Sequence, residues 1–199
     1  RMSISSAHSY GRTRELLLEV SACEASAMES GVNFEAGLAM ILADRPKTRD
    51  LIGHIIGRYH EAHRRELPIL IGLSDKVESR HRGHPQMPAN LSRILQTMLL
   101  ELEMHMCKEE HIVFALIMEG QGPLIGNAID MMMTDHEDHS TMLRELRALT
   151  SDCQPPADAC DDWRRLYTGL RKLIDDLVAH IQLENNVLFP RFIDKSAAE

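Results

Sequence analysis

The sequence predicts an all-α protein, an up-down-up-down four-helix bundle preceded by a short helical N-terminal extension. Three observations point there. Leu, Met, Ala, Glu and Arg dominate the 199 residues while aromatics make up only 4%, a composition that favours helices over strands. From Thr48 onward apolar residues recur at helical spacing in four long stretches, the mark of amphipathic helices. The breaks between those stretches are mostly short, and short connections make successive helices antiparallel neighbours.

Residues 1–46 form the extension. Ser3 to Thr13 is polar, Arg14 to Met28 reads as helix, Gly31-Val32-Asn33 breaks it, and a second short helix covers Phe34 to Ala43. Arg45-Pro46 marks a boundary, because the residue before proline disfavours the α region. This piece is too short to enclose a sizeable core of its own, so the expected division is 1–46 and a bundle over 47–195.

The first long helix is expected over 48–72, with Ile52, Ile56, Tyr59, His60, His63, Leu67 and Leu70 on one stripe. Pro68 interrupts the pattern and predicts a kink or an early stop. A polar loop follows from Ser79 to Pro88. The second helix, 89–119, stacks Leu91, Leu95, Met98, Leu102, His105, Glu109, Ile112 and Leu116 before the break at Gly120 to Pro123. The third, 124–150, carries Ile125, Ile129, Met132, His136, His139, Leu143 and Leu146. After a loop from Ser151 to Ala157, the fourth, 158–189, aligns Trp163, Leu166, Leu170, Leu173, Leu177, His180, Glu184 and Leu188, closed by Pro190.

Composition narrows the function. A net charge of −8 argues against a nucleic-acid or anionic-membrane surface, where affinity comes from neutralising phosphates. No apolar run reaches the roughly 18 residues that span a bilayer, and the first residues lack the pattern of a signal peptide. A cytoplasmic protein is expected. Cys23, Cys107, Cys153 and Cys160 show no CxxC spacing, which argues against a zinc ribbon and a disulfide framework.

The chemistry lies in a repeat. His105 is followed by Glu109 and then Val113-Phe114; His180 is followed by Glu184 and then Leu188-Phe189. Both read His-x3-Glu-x3-aliphatic-Phe. Residues four apart share a helix face, so each copy presents one imidazole and one carboxylate to the same point. Singly, a histidine in an apolar stripe is an ordinary hydrogen-bonded core residue, and a lone His-x3-Glu is common on solvated helices. Here all four helices carry His or Glu inside the stripe, and buried ionisable groups are costly unless paired or coordinated.

The ligand candidates are His60, His105, Glu109, His136, His180 and Glu184, a set suited to iron or manganese rather than tetrahedral zinc. Two bridging carboxylates would serve two metals, each with two imidazoles, leaving room for a small molecule. His63 and His139 lie about 60° of helix from His60 and His136, so spacing alone leaves them open as ligands. Glu101 and Asp176, each four residues before a ligand histidine, are candidates to accept the free ring N–H; His63 is a further neighbour of the site. His54 and His111 read as surface or boundary residues, His8, His81 and His84 as solvated. Met131-Met132-Met133 reads as core packing with one side chain inward.

These stretches resemble the hemerythrin-like superfamily, and within it the family of di-iron proteins that repair iron–sulfur clusters. The resemblance runs over about residues 48–192. It is carried by His54-Ile55-Ile56-Gly57-Arg58-Tyr59-His60-Glu61-Ala62-His63-Arg64, His105-Met106-Cys107-Lys108-Glu109-Glu110, Asp135-His136-Glu137 and, most specifically, Ile174 through Arg191. It implies a hemerythrin-like bundle whose ligands are His60, His105, Glu109, His136, His180 and Glu184, with the first of each His60/His63 and His136/His139 pair chosen. It implies two iron ions with an oxo or hydroxo bridge. Oxygen-carrying hemerythrins differ where this chain has Ser140 and Asn185. Repair-family members begin with a small domain bearing Cys-Cys-Gly-Gly; this chain has no adjacent cysteines, and Ser5-Ser6-Ala7-His8 is the nearest counterpart.

The function that the resemblance implies is repair of iron–sulfur clusters damaged by nitric oxide or oxidants, by an iron-donating or NO-reactive protein rather than a conventional enzyme. Its expected partners are NO or O2 and damaged iron–sulfur proteins, acting as a monomer or homodimer. The alternative is a non-catalytic NO or O2 sensor or scavenger, and a third is a metal-free helical interaction module.

Overall fold

A computed structural model describes residues 47–120 and 122–193. The expectations for residues 1–46, including the two short helices and Cys23, lie outside these residues. The described chain is helical apart from its connections, chiefly 81–90 and 150–160, and no strand occurs among the described residues.

Four long helices build the bundle, and three of them are interrupted. The first runs as α1 (Thr48–Ile55), a π-turn (Ile56–His60) and α2 (Glu61–Arg80). The second is α3 (Leu91–Lys108), a π-turn (Glu109–Val113) and α4 (Phe114–Glu119). The third is the single helix α5 (Gly122–Leu149). The fourth is α6 (Asp161–Leu183), a π-turn (Glu184–Leu188) and the short α7 (Pro190–Ile193). Helix α2 packs on α3 and α6, and α5 touches both α3 and α6, closing a ring of four.

The first helix continues to Arg80, past the end expected from Pro68. Pro68 sits within α2 on its exposed side, where the missing N–H is tolerated because water satisfies the freed carbonyl. Gly120 does end the second helix: its φ of 71° is left-handed, and its N–H returns to the Leu116 carbonyl. The left-handed region suits glycine because it lacks a Cβ. A second glycine is set by packing. A Cβ at Gly169 would lie 2.5 Å from Leu70 Cδ2, so the bare position on α6 makes room for the Leu70 side chain of α2.

One end of the interior is mostly apolar. Leu67, Leu70, Leu91, Leu95, Met98, Leu102, Trp163, Leu166 and Leu170 are buried there. Burial of each such side chain contributes about 1.5–3 kcal/mol relative to exposure. Toward the other end the stripes turn polar, at the level of the π-turns.

Candidate metal centre

The π-turns position the polar side chains. In the second and fourth helices the His-x3-Glu step is α-helical, so His105 and Glu109 share one face, as do His180 and Glu184. Directly after each glutamate the ladder widens: Phe114 N–H donates to the Glu109 carbonyl, and Phe189 N–H donates to the Glu184 carbonyl at 2.8 Å. In the first helix the Glu61 N–H donates to the Ile56 carbonyl, so the turn ends on His60. Such i→i+5 turns insert an extra residue and advance the register. Val113, Phe114 and Ile117 therefore face inward while Ile112 is 49% exposed, which corrects the regular stripe expected through Ile112 and Leu116.

The bundle brings together all six side chains singled out as ligands. His60, Glu109, His180 and Glu184 offer donor atoms within 4.8 Å of one another, and so do His105, Glu109, His136 and Glu184. Both glutamates belong to both groups. Glu109 turns Oε2 toward His60 Nε2 (3.2 Å) and Oε1 toward His105 Nε2 (3.4 Å). Glu184 turns Oε1 toward His180 Nε2 and Oε2 toward His136 Nε2, each at 3.2 Å. Across each group two imidazole Nε2 atoms face one another at 3.2 Å, His60 with His180 and His136 with His105.

A metal fits this donor set. None of the four carboxylate oxygens has a hydrogen-bond partner among the described residues, and none of the six residues is more than 2% exposed. Two carboxylates buried this deeply cost several kcal/mol each unless a cation or a proton compensates them. Burial, then the neighbouring Glu184, lifts Glu109 well above the usual carboxylate range. Burial pushes Glu184 upward too, but the His180 and His136 rings 3.2 Å from its oxygens outweigh it and hold the group low. Cations between the imidazole pairs would satisfy every one of these atoms at once.

Three of the four imidazoles are held from behind. His60 Nδ1–H donates to Glu110 Oε1 at 2.7 Å, and Arg64 holds that same oxygen at 2.9 Å. His105 Nδ1–H donates to Asp135 Oδ2 at 3.3 Å, and Lys108 Nζ holds that oxygen at 2.7 Å. His136 Nδ1–H donates to Asn185 Oδ1 at 2.8 Å. These tethers differ from the expected ones. Glu101 is exposed and leaves His105 to Asp135. Asp176 is buried, but its oxygens are taken by Arg58 (2.6 and 3.0 Å) and Lys172 (2.8 Å). The tethers come from a neighbouring helix, and a search one turn back on the same helix misses them. The available signal was adjacency: Glu110 follows Glu109, Asn185 follows Glu184, and Asp135 precedes His136.

His63 and His139 are buried beside the six but belong to neither donor group. Their rings lie 5.7 Å from His180 and 4.8 Å from His105. Burial pushes each down to about 3, so both are neutral imidazoles. Burial likewise takes His105 to about 4, against the upward pull of Asp135. His54 and His111 are exposed, and of the methionine run only Met132 is fully buried. His81 and His84 are not solvated as expected. Both are half-buried against Trp163, with ring centroids 4.9 and 5.2 Å away. Cys107 points away from the six and donates its thiol proton to Glu103 at 3.3 Å.

A ring of four helices around a buried cage of imidazoles and shared carboxylates defines a helical cation-binding domain, and the chain belongs to that family: the hemerythrin HHE cation binding domain matches residues 51–192. It is similar to the iron-sulfur cluster repair protein YtfE of Citrobacter koseri, 42% identical over 165 residues that cover 79% of this chain and 74% of that one. The YtfE protein of an Enterobacter species is 43% identical with the same coverage. That of Dickeya chrysanthemi is 45% identical over 142 residues, 71% of this chain and 64% of the other. Among the described residues no helix is long and apolar enough to cross a membrane.

Proposed function

We propose that this chain holds two iron ions, one between His60 and His180 and one between His105 and His136, both bridged by Glu109 and Glu184, and that it restores damaged iron–sulfur clusters. The observation that carries this is the sharing of both glutamates, one oxygen turned to each imidazole pair. A single-metal site has no use for a second carboxylate arranged that way. Iron is favoured over other metals by the similarity to YtfE proteins named for iron–sulfur cluster repair. The boundary near residue 46 is part of the proposal, supported by a domain match that begins at residue 51.

The roles of the chain's own residues follow from chemistry. Four neutral imidazoles and two carboxylates supply two unit charges against two cations. Two iron ions held by this set, with an oxo or hydroxo bridge, would be bound firmly and would each keep room for a further ligand. Bound iron supplies an open coordination position for a small molecule such as NO or O2 and a store of ions for an apo-cluster. Glu110, Asp135 and Asn185 fix the tautomer so that each Nε2 presents its lone pair. The buried residues His63, Phe114 and Phe189 exclude water around the donors.

The test is incubation of the iron-loaded protein with an enzyme whose iron–sulfur cluster has been damaged by NO. Recovery of that enzyme's activity in step with iron lost from this protein supports repair. Tight NO binding with no recovery supports a sensor or scavenger. Absence of iron after anaerobic expression with iron supplied contradicts both.

A further inference from the structure

The four ligand imidazoles are not equally held, and the difference falls on one of the two metal positions. At the position of His105 and His136, both rings have their Nδ1 protons taken, by Asp135 and Asn185. At the other, His60 is tied to Glu110, while the Nδ1 of His180 is buried with no hydrogen-bond partner among the described residues. The ring is packed, with Tyr59 stacked on it at 5.4 Å and 5°, but stacking does not choose a tautomer. The nearest carboxylate by spacing, Asp176, sits one turn back and is held by Arg58 and Lys172.

We propose that the ion between His60 and His180 is the labile one of the pair, released before the ion between His105 and His136. The proposal rests on the two-ion centre above and names the ion that centre would give up. An untethered imidazole moves its proton to Nε2 at no cost in lost hydrogen bonds, and in that form it cannot bind a metal. Outer partners of ligating histidines are worth about 10- to 100-fold in metal affinity. A multidentate ion leaves through its weakest ligand, so the strong Glu110 tether on His60 does not protect the position from loss at His180.

The experiment strips the iron-loaded protein anaerobically with a ferrous chelator and follows release in time. The expected record has two phases of one ion each, separated by about tenfold or more. Anomalous diffraction from half-stripped crystals then shows the remaining ion between His105 and His136. Asn185→Leu, which unties His136, accelerates the slow phase and leaves the fast phase as it was. A remaining ion between His60 and His180, or a single phase in the wild-type protein, overturns the proposal while leaving a two-ion centre intact. A starting content of one iron or fewer per chain contradicts the two-ion centre itself.

Discussion

Phe189 lies parallel to His136, with ring centroids 6.0 Å apart and planes within 12°; Phe114 stands in the same relation to His60, at 6.1 Å and 16°. In each copy of the His-x3-Glu-x3-aliphatic-Phe repeat, the phenylalanine therefore backs the imidazole of the preceding long helix. The π-turn makes this possible, because the Phe N–H closes on the glutamate carbonyl and swings the ring inward. The bundle is two similar helical pairs, each supplying two imidazoles, one carboxylate and one aromatic wall.

Phe189→Ala removes a fully buried ring and leaves a cavity beside His136. Urea unfolding should show a loss of about 3–5 kcal/mol. A loss below about 1 kcal/mol would mean that the ring is not part of the packed wall.

Glu109→Leu should act in opposite directions on metal and fold. It removes a carboxylate shared by both donor groups, so iron falls to one ion or fewer per chain by metal analysis. The metal-free protein should become no less stable in urea, because a desolvated carboxylate is replaced by a side chain suited to the interior. Glu184→Leu should lower iron content likewise. His63→Ala should keep the metal, since His63 lies outside both groups.

Asp135→Asn should weaken metal binding by about 10- to 100-fold in a competition titration, because the His105 proton loses its charged acceptor. Glu101→Gln, at an exposed position, should leave it unchanged. Equal effects would return the tether to Glu101.

The metal-free protein should lose stability in acid through His63 and His139. Both are held from the ordinary value of 6.5 down to about 3 by burial. The unfolded chain therefore binds their protons first as pH falls. By linkage, the stability from keeping them neutral is full above about pH 6.5 and drains away down to about pH 3. Urea unfolding across that range should show the decline, and the double variant His63→Leu/His139→Leu should make it shallower, leaving the part that His105 carries. An unchanged slope would mean that these rings titrate freely.

The four helices, and the convergence of a His or Glu from every stripe, were legible in the sequence from period alone, while the choice of His60 over His63 and of His136 over His139 came from the family resemblance. Residues one turn apart share a face whatever surrounds them, and four stripes carrying His or Glu at comparable depth have few ways to pack. The rest needed tertiary partners. Ile112 was placed inward by a regular period, and the π-turn at Glu109 rotated it out. Asp176 had the right spacing to serve His180, but Arg58, 118 residues away in the chain, and Lys172 hold it instead. His81 and His84 looked solvated because their loop is polar; the Trp163 face beneath them comes from another helix. Pro68 looked like a stop because a proline's cost depends on which side of the helix faces water.

The central claim, a binuclear iron centre bridged by Glu109 and Glu184, is tested most directly by the Mössbauer spectrum of the 57Fe-loaded protein at low temperature. The prediction is two irons per chain in the oxidised protein and a diamagnetic ground state, which two high-spin ferric ions show only when coupled through a shared bridge. A magnetically split spectrum of isolated ferric ions, persisting at full iron loading, would contradict it.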